Sequence, residues 1–521
     1  MRVTNNMIIN NSIRNINKTK ELTSKLNDQM TSQKKITKAS EDPVIAIRSL
    51  RLRNTQAQVD QYLTNNINDA EKWLESTEDA LNNIDSALED AYNLFVQGAN
   101  GDSTIADKKE ILASLQALVS EVYQEANADF NGRTLFTGYK TGSTLTFTED
   151  VDTEYTITEP VNSTDIREKT FYSTATAAPS TLGTVSVDDD GNLTITDDGT
   201  TTTYDGDEEV TYAEEYNYNV IRLSYDDLDT SDTITKPGDL YYYNESTGKT
   251  VGFSSTVVCL DTYEDFVDLA ESGSVDEDSV YFIYETGEMV LNDTVNSYLN
   301  AHPDFSLYVT YTKSGFDKDE IRPEMYFSCT DNTNGITYTK EDQPIEYTIS
   351  DNTTLEVNKQ GDEFLTADFY RDIEELSYAM QQVTDAQAKV DEIQSMIDSS
   401  AYSGQEGAQS YLSNLLAAAQ SELDYATDNV NNLFSNGISY TQSYLTDVAN
   451  ADADVGNKMS QLELVETRMT NQQTTVEALI ADNENEELTE IVIKYTAAYN
   501  AYESALLAAS KASENTLLDY L

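Results

Sequence analysis

Proline placement constrains this chain more than any other feature. Pro160, Pro179, Pro237, Pro303, Pro323 and Pro344 fall in one central stretch, and only Pro43 lies outside it. A proline inside a helix removes a hydrogen bond and clashes with the preceding turn, so long helices are permitted on both flanks. The first flank uses that freedom. Val59, Leu63, Ile67, Ala70, Leu74, Thr77, Leu81, Ile84, Leu88, Ala91 and Phe95 recur at spacings of four and three, the apolar seam of a coiled-coil helix. Asp42 can N-cap it and Pro43 suits its first turn. The spacing predicts one helix from about Pro43 to Gln97, ~80 Å long at about 1.5 Å per residue, stopped by Gly98 and Gly101.

A shorter helix with Ile111, Leu115, Leu118 and Val122 follows, ending before Asn131-Gly132. Residues 365 to 450 return to helical spacing through Phe369, Ile373, Leu376, Met380, Val383, Val390, Ile393 and Ile397. Further on, Val455, Met459, Leu462, Met469, Val476 and Ile480 trace a stripe interrupted by Glu466 and Gln473. Leu488, Ile491, Tyr495, Ala498, Tyr502, Ala505, Ala509 and Ala512 form a more regular one. Between about Thr141 and Phe364 the period becomes two, as in Thr184-Val185-Ser186-Val187 and Tyr308-Val309-Thr310-Tyr311, with Asp190-Gly191-Asn192 set as a hairpin turn. The expected fold class is α+β, long helices from both ends enclosing a β-rich insert. The expected segments are 1–42, 43–140, 141–364, 365–484 and 485–521.

A formal charge of -61 and a pI near 4.1 repel nucleic acid and anionic lipid as general partners. Residues 1–53 differ, with eleven Lys/Arg against four Asp/Glu, a balance of 11 - 4 = +7. Those charges are interleaved with apolar residues at helical spacing, which is not the pattern of a nucleic-acid patch. No run of about 18 apolar residues is present to span a membrane. Thr4-Asn5-Asn6 and Asn10-Asn11-Ser12 interrupt any apolar core of a signal peptide, so export without a cleaved signal is expected. Cys259 and Cys329 are too few for a disulfide framework or a Cys-based zinc site and read as free thiols.

Motifs that could carry chemistry have weak support. His302, the only histidine, leaves no material for His-pair metal sites and reads as a loop residue beside Pro303. Gly248-Lys249-Thr250 ends like a P-loop, but Tyr243 stands where its first glycine is required. Ser246-Thr247-Gly248-Lys249, Ser350-Asp351-Asn352 and Lys140-Thr141-Gly142 match β-lactamase fragments in the wrong order. Asp188, Asp189 and Asp190 lack a following bidentate Glu at EF-hand spacing and read as a solvated turn. Carboxylates are so abundant that a glycosidase-like pair carries no information. No catalytic, cofactor or metal site is expected.

Three strings point elsewhere. SEDPVIAIRSLRLR at 40–53, NGRTLFTG at 131–138 and SENTLLDYL at 513–521 resemble the flagellin-like superfamily, in the form of its filament-side hook-associated junction proteins. PIEYTISDNTTLEVN at 344–358 is a weaker match. The resemblance covers roughly 1–140 and 450–521. It implies a non-enzymatic structural role at the hook-filament junction of a bacterial flagellum. It further implies export through the type III route with a chaperone, assembly as a ring of copies, and contact with a hook-side junction protein and flagellin. The segments 1–42 and 485–521 would then form the axial core, mostly unfolded before assembly. Interface candidates are Ile9, Ile13, Ile16, Asp42, Pro43, Arg48, Arg51, Arg53, Tyr495, Tyr502, Leu517, Leu518, Tyr520 and Leu521. The alternatives are flagellin itself, or a secreted protein with a catalytic or carbohydrate-binding insert.

Overall fold

The computed structural model describes residues 5–101, 103–230, 241–244, 249–252, 256–303 and 306–518. Its long helices are α1 (Asn5–Ser32), α2 (Pro43–Gln61), α3 (Asn68–Gly98), α4 (Ile105–Glu125), α5 (Asp368–Asp398), α6 (Glu406–Glu484) and α7 (Leu488–Leu518). Strands occupy the stretch between α4 and α5, so the α+β class stands. Among the described residues no helix is long and apolar enough to cross a membrane.

The seam read from sequence is buried along its length. Val59, Ile67, Ala70, Leu74, Thr77, Leu81, Ile84, Leu88, Ala91 and Phe95 are all buried. The helix is continuous but not uniform, because Tyr62–Ile67 between α2 and α3 is π-helical. Val59, Leu63 and Ile67 are spaced four and four. A π turn takes up more residues than an α turn, and so returns all three to one face. Ile67 is buried and Leu63 half-buried as a result.

The chain divides into two compact units. One comprises Trp73–Ile345 and Val357–Asn457. In its helical part Phe95 meets Phe434 edge-on at 6.1 Å. Each ring also lies over a glycine: a Cβ on Gly98 would sit 2.3 Å from Phe434, and one on Gly437 2.3 Å from Phe95. Trp73 is fully buried, edge-on to Phe130 and under the Arg133 guanidinium at 4.8 Å.

The insert in this unit builds two larger sheets. One has six described strands in the order Lys249–Gly252, Tyr241–Asn244, Leu307–Phe316, Val151–Val161, Ser328–Asp331 and Ile336–Tyr338, each antiparallel to its neighbours. The other has five, in the order Thr256–Leu260, Ser279–Ile283, Glu288–Val290, Glu215–Arg222 and Ile166–Tyr172. Its first pair is parallel and joined through the helix Tyr263–Glu271, since parallel neighbours need a crossover. That helix lays Tyr263, Phe266 and Val267 on Phe171, Val220, Tyr281 and Ile283, giving the insert a core of its own. The expected hairpin is also present, with Val185 opposite Ile195 and Gly191 at φ 87°.

The second unit comprises Met1–Lys72, Glu346–Glu356 and Lys458–Leu521. The hairpin Glu346–Ser350/Thr353–Glu356 clusters with these terminal helices. Asn66 in the π turn donates to the Thr348 carbonyl at 2.6 Å, and Arg468 of α6 donates to Ser350 Oγ at 3.0 Å.

Candidate assembly interface

In the Met1–Lys72 part of the second unit, α2 opens at a cap. Asp42 accepts from the Val44 and Ile45 amides at 2.9 and 3.2 Å, with Pro43 opening α2. This satisfies amide donors that a helix start leaves unpaired. Upstream, Gln33 takes a left-handed turn at φ 55° where α1 ends. The Lys35 amide donates to the Glu484 carbonyl at 2.7 Å, and the Glu486 amide to the Gln33 carbonyl at 3.0 Å. The turn after α1 is thereby stitched to the break between α6 and α7.

Glu484 is the hub of this joint. Its carboxylate accepts from Arg53 Nε at 2.8 Å and Nη2 at 2.7 Å, from Lys34 Nζ at 2.7 Å, and from Ser49 Oγ. The Arg53 hydrogen bonds, followed by those from Lys34 and Ser49, hold the carboxyl far below the usual range despite its burial. A bidentate guanidinium contact on a buried carboxylate is among the stronger polar interactions available. Arg53, an interface candidate from sequence, is therefore also an anchor within its own chain.

Around this joint apolar side chains face outward. Val44, Ile47 and Leu50 on α2 are 67%, 56% and 73% exposed, while Ile493 and Leu507 on α7 are 65% and 64% exposed. Arg48 and Arg51 are exposed among the α2 residues. Helices α1 and α7 share a thin core of Leu26, Ile491 and Ala498, flanked by Met30 and Tyr495. Ile13 is exposed, Ile9, Ile16 and Tyr502 are half-buried, and Tyr495 stacks on Tyr499. Leu517 and Leu518 are described only as the last residues of α7, and Tyr520 and Leu521 lie outside the described residues.

The chemical motifs have structural roles. Lys140 Nζ donates to the Glu324 carbonyl at 2.5 Å and sits over the Tyr338 ring. Ser350 receives Arg468, and Asn352 closes the hairpin at φ 60°. Ser246, Thr247 and Gly248 lie outside the described residues. Asp188 accepts from the Asp190 and Asn192 amides at 2.9 Å each, an Asx turn. His302 stacks on Tyr298 at the end of Asp293–Ala301. Cys259 and Cys329 are both free.

What sequence reasoning missed is a buried ionic joint between the five-stranded sheet and α5. Arg222 reaches Asp372 at 2.5 Å and Glu375 at 3.0 Å, while Arg167 reaches Asp372 at 2.6 Å and Asp368 at 3.0 Å. Lys169 reaches Glu288 at 2.6 Å and Glu375 at 3.1 Å. Burial works against the Glu375 charge, yet Lys169 and Arg222 bring its carboxyl down to about 2.

Residues 3–141 match the bacterial flagellin N-terminal helical region. Among curated proteins, the relatives include flagellar hook-associated protein 3. The Salmonella typhimurium protein is 30% identical over 142 residues, 27% of this chain and 44% of that protein. The Escherichia coli protein is 29% identical over 151 residues, 29% of this chain and 47% of that protein. A flagellin from Clostridium tyrobutyricum is 28% identical over 163 residues, 31% of this chain and 42% of that protein. The chain thus spans less than half the length of these relatives. A solved flagellar junction protein from Legionella pneumophila covers 84% of this chain and 99% of its own, at 11% identity and a TM-score of 0.30.

Proposed function

We propose that this chain is a structural junction protein of the bacterial flagellum, placed between hook and filament after export. The observation that carries the reading is the match of 142 and 151 of its residues to hook-associated protein 3 from two species, beside the match of residues 3–141 to the flagellin N-terminal helical region. The exposed Val44, Ile47 and Leu50 beside Arg48 and Arg51 support it, because an apolar face of that kind on a surface helix marks a docking surface. Its partners would be a hook-side junction protein, further copies in a ring and the first flagellin subunits, with a chaperone before export. The role is architectural rather than catalytic.

The test is a strain lacking the chain. Hooks without filaments, with flagellin released to the medium, are expected, and normal filaments would overturn the reading. The flagellin match favours one second reading, a filament subunit. Antibody labelling separates the two, giving a single band at the filament base for a junction and continuous label for a filament.

A further inference from the structure

Where the insert meets α6, the chain forms an open cavity of about 710 Å³, and every residue lining it belongs to the unit of Trp73–Ile345 and Val357–Asn457. Ligand pockets span roughly 300–1,000 Å³, so a small organic molecule fits this one. One wall is a face of α6, where Tyr440, Ser443, Tyr444 and Asp447 follow at helical spacing. Another is the end of Val151–Val161 with the turn that leads into Ile166–Tyr172.

Two polar groups in the wall are buried and unsatisfied. Tyr326 is 7% exposed, and its hydroxyl has no hydrogen-bond partner among the described residues. Arg222, also 7% exposed, directs Nη1 to Glu375 and Nη2 to Asp372 and leaves its Nε–H unpaired. Buried polar groups are nearly always bonded. An orphaned hydroxyl and an orphaned N–H in one cavity wall therefore point to a ligand that supplies their partners. Asp447 adds a carboxylate that makes no hydrogen bond or ion pair among the described residues.

The chemistry of the wall selects among ligands. Six carboxyl groups line the cavity against two cations, Arg167 and Arg222. Both guanidiniums are already bridged to Asp368 and Asp372, so an anionic ligand would meet a negative field. A cationic ligand meets other obstacles, because Arg167 already covers one face of the Tyr440 ring at 4.3 Å and the unpaired Nε–H is itself a donor. A hydroxyl both donates and accepts, so a polyol can satisfy Arg222, Tyr326 and Asp447 together. The rings of Phe327, Phe364 and Phe369 offer apolar surface to the C–H faces of a sugar.

We propose that this cavity binds a neutral saccharide, whose hydroxyls pair with Tyr326 Oη, Arg222 Nε–H and the Asp447 carboxylate. Saccharide binding of this kind adds to a junction role without replacing it. The test is saturation-transfer NMR on the full chain with glucose, galactose, N-acetylglucosamine and lactose, and with glucuronate as the charged control. At least one neutral sugar should bind with a dissociation constant of about 10 mM or tighter, and glucuronate should not. Tyr326→Phe and Asp447→Asn should each weaken that binding about tenfold, the effect of one lost hydrogen bond. Tyr326→Phe should leave the melting temperature of the free chain unchanged or raised, because it removes a buried unpaired hydroxyl. Asp447 is exposed, so its variant reports on binding even where Tyr326→Phe folds poorly. No neutral sugar bound, glucuronate bound as tightly as the neutral sugars, or affinities unchanged in both variants would overturn the site.

Discussion

At the scale of single residues, two glycines set how closely the helices of the insert-bearing unit approach. Gly98 and Gly437 each leave room for a phenylalanine ring where a methyl group would lie 2.3 Å from ring carbons. Gly437 is in a helix, where alanine is ordinarily the better residue. Steric overlap reverses that preference. Gly437→Ala is expected to destabilise the full chain by about 1–3 kcal/mol in a urea titration, the range for overpacked cores; a gain in stability would show that the rings shift freely. Glu484 carries a second residue-scale expectation. Its carboxyl is held below its unfolded value, so its stabilisation is present above about pH 4.5 and lost as pH falls through the folded value. Glu484→Gln should weaken the joint to Lys34 and Arg53 by about 1.5–3 kcal/mol at neutral pH. It should also remove part of the acid sensitivity of exchange at residues 33–37.

At the scale of elements, much was legible because helical period and proline placement act locally. The seam from Val59 to Phe95, the Asp42-Pro43 start and the hairpin at Asp190-Gly191-Asn192 all follow from short-range rules. The π turn was also written in the sequence, as two successive spacings of four, but a continuous α-helix is the simpler reading of that pattern. Glu484 was not legible. It lies in an acidic run beginning at Asp482, and its partner Arg53 is 431 positions away. The docking of Glu346–Glu356 with the terminal helices likewise depends on tertiary packing, which no local pattern encodes. The thin core between α1 and α7 leads to an expectation for the arms. Isolated helices are marginal without packing, so α1 and α7 should exchange rapidly in the free monomer and become protected on assembly. On α2, Leu50→Ser should leave the melting of the monomer unchanged while reducing self-association, as measured by light scattering. A lowered melting temperature would place Leu50 in the fold rather than at an interface.

For the whole molecule, the ionic joint determines which pieces can stand alone. Sequence alone points to a self-sufficient insert from 141 to 364, and the Phe171–Phe266 core gives it apolar material. Yet Arg222 is nearly fully buried, and its partners Asp372 and Glu375 both lie on α5, outside that segment. Arg167 and Lys169 share the same carboxylates. This dependence was invisible in a chain with 93 Asp and Glu residues, because no pattern distinguishes the few that become buried partners. Removing one side of a buried ion pair leaves the other charge uncompensated and costs about 3–5 kcal/mol. A fragment ending at residue 364 should therefore unfold at lower urea than one extended through α5 to Asp398. The difference should be several kcal/mol, on the order of 3–5 if one pair dominates. Substituting Arg222→Met in the shorter fragment should recover part of that loss, since the uncompensated charge is then gone. Equal stability of the two fragments would mean that the insert solvates its cations unaided, and that α5 adds nothing to its folding.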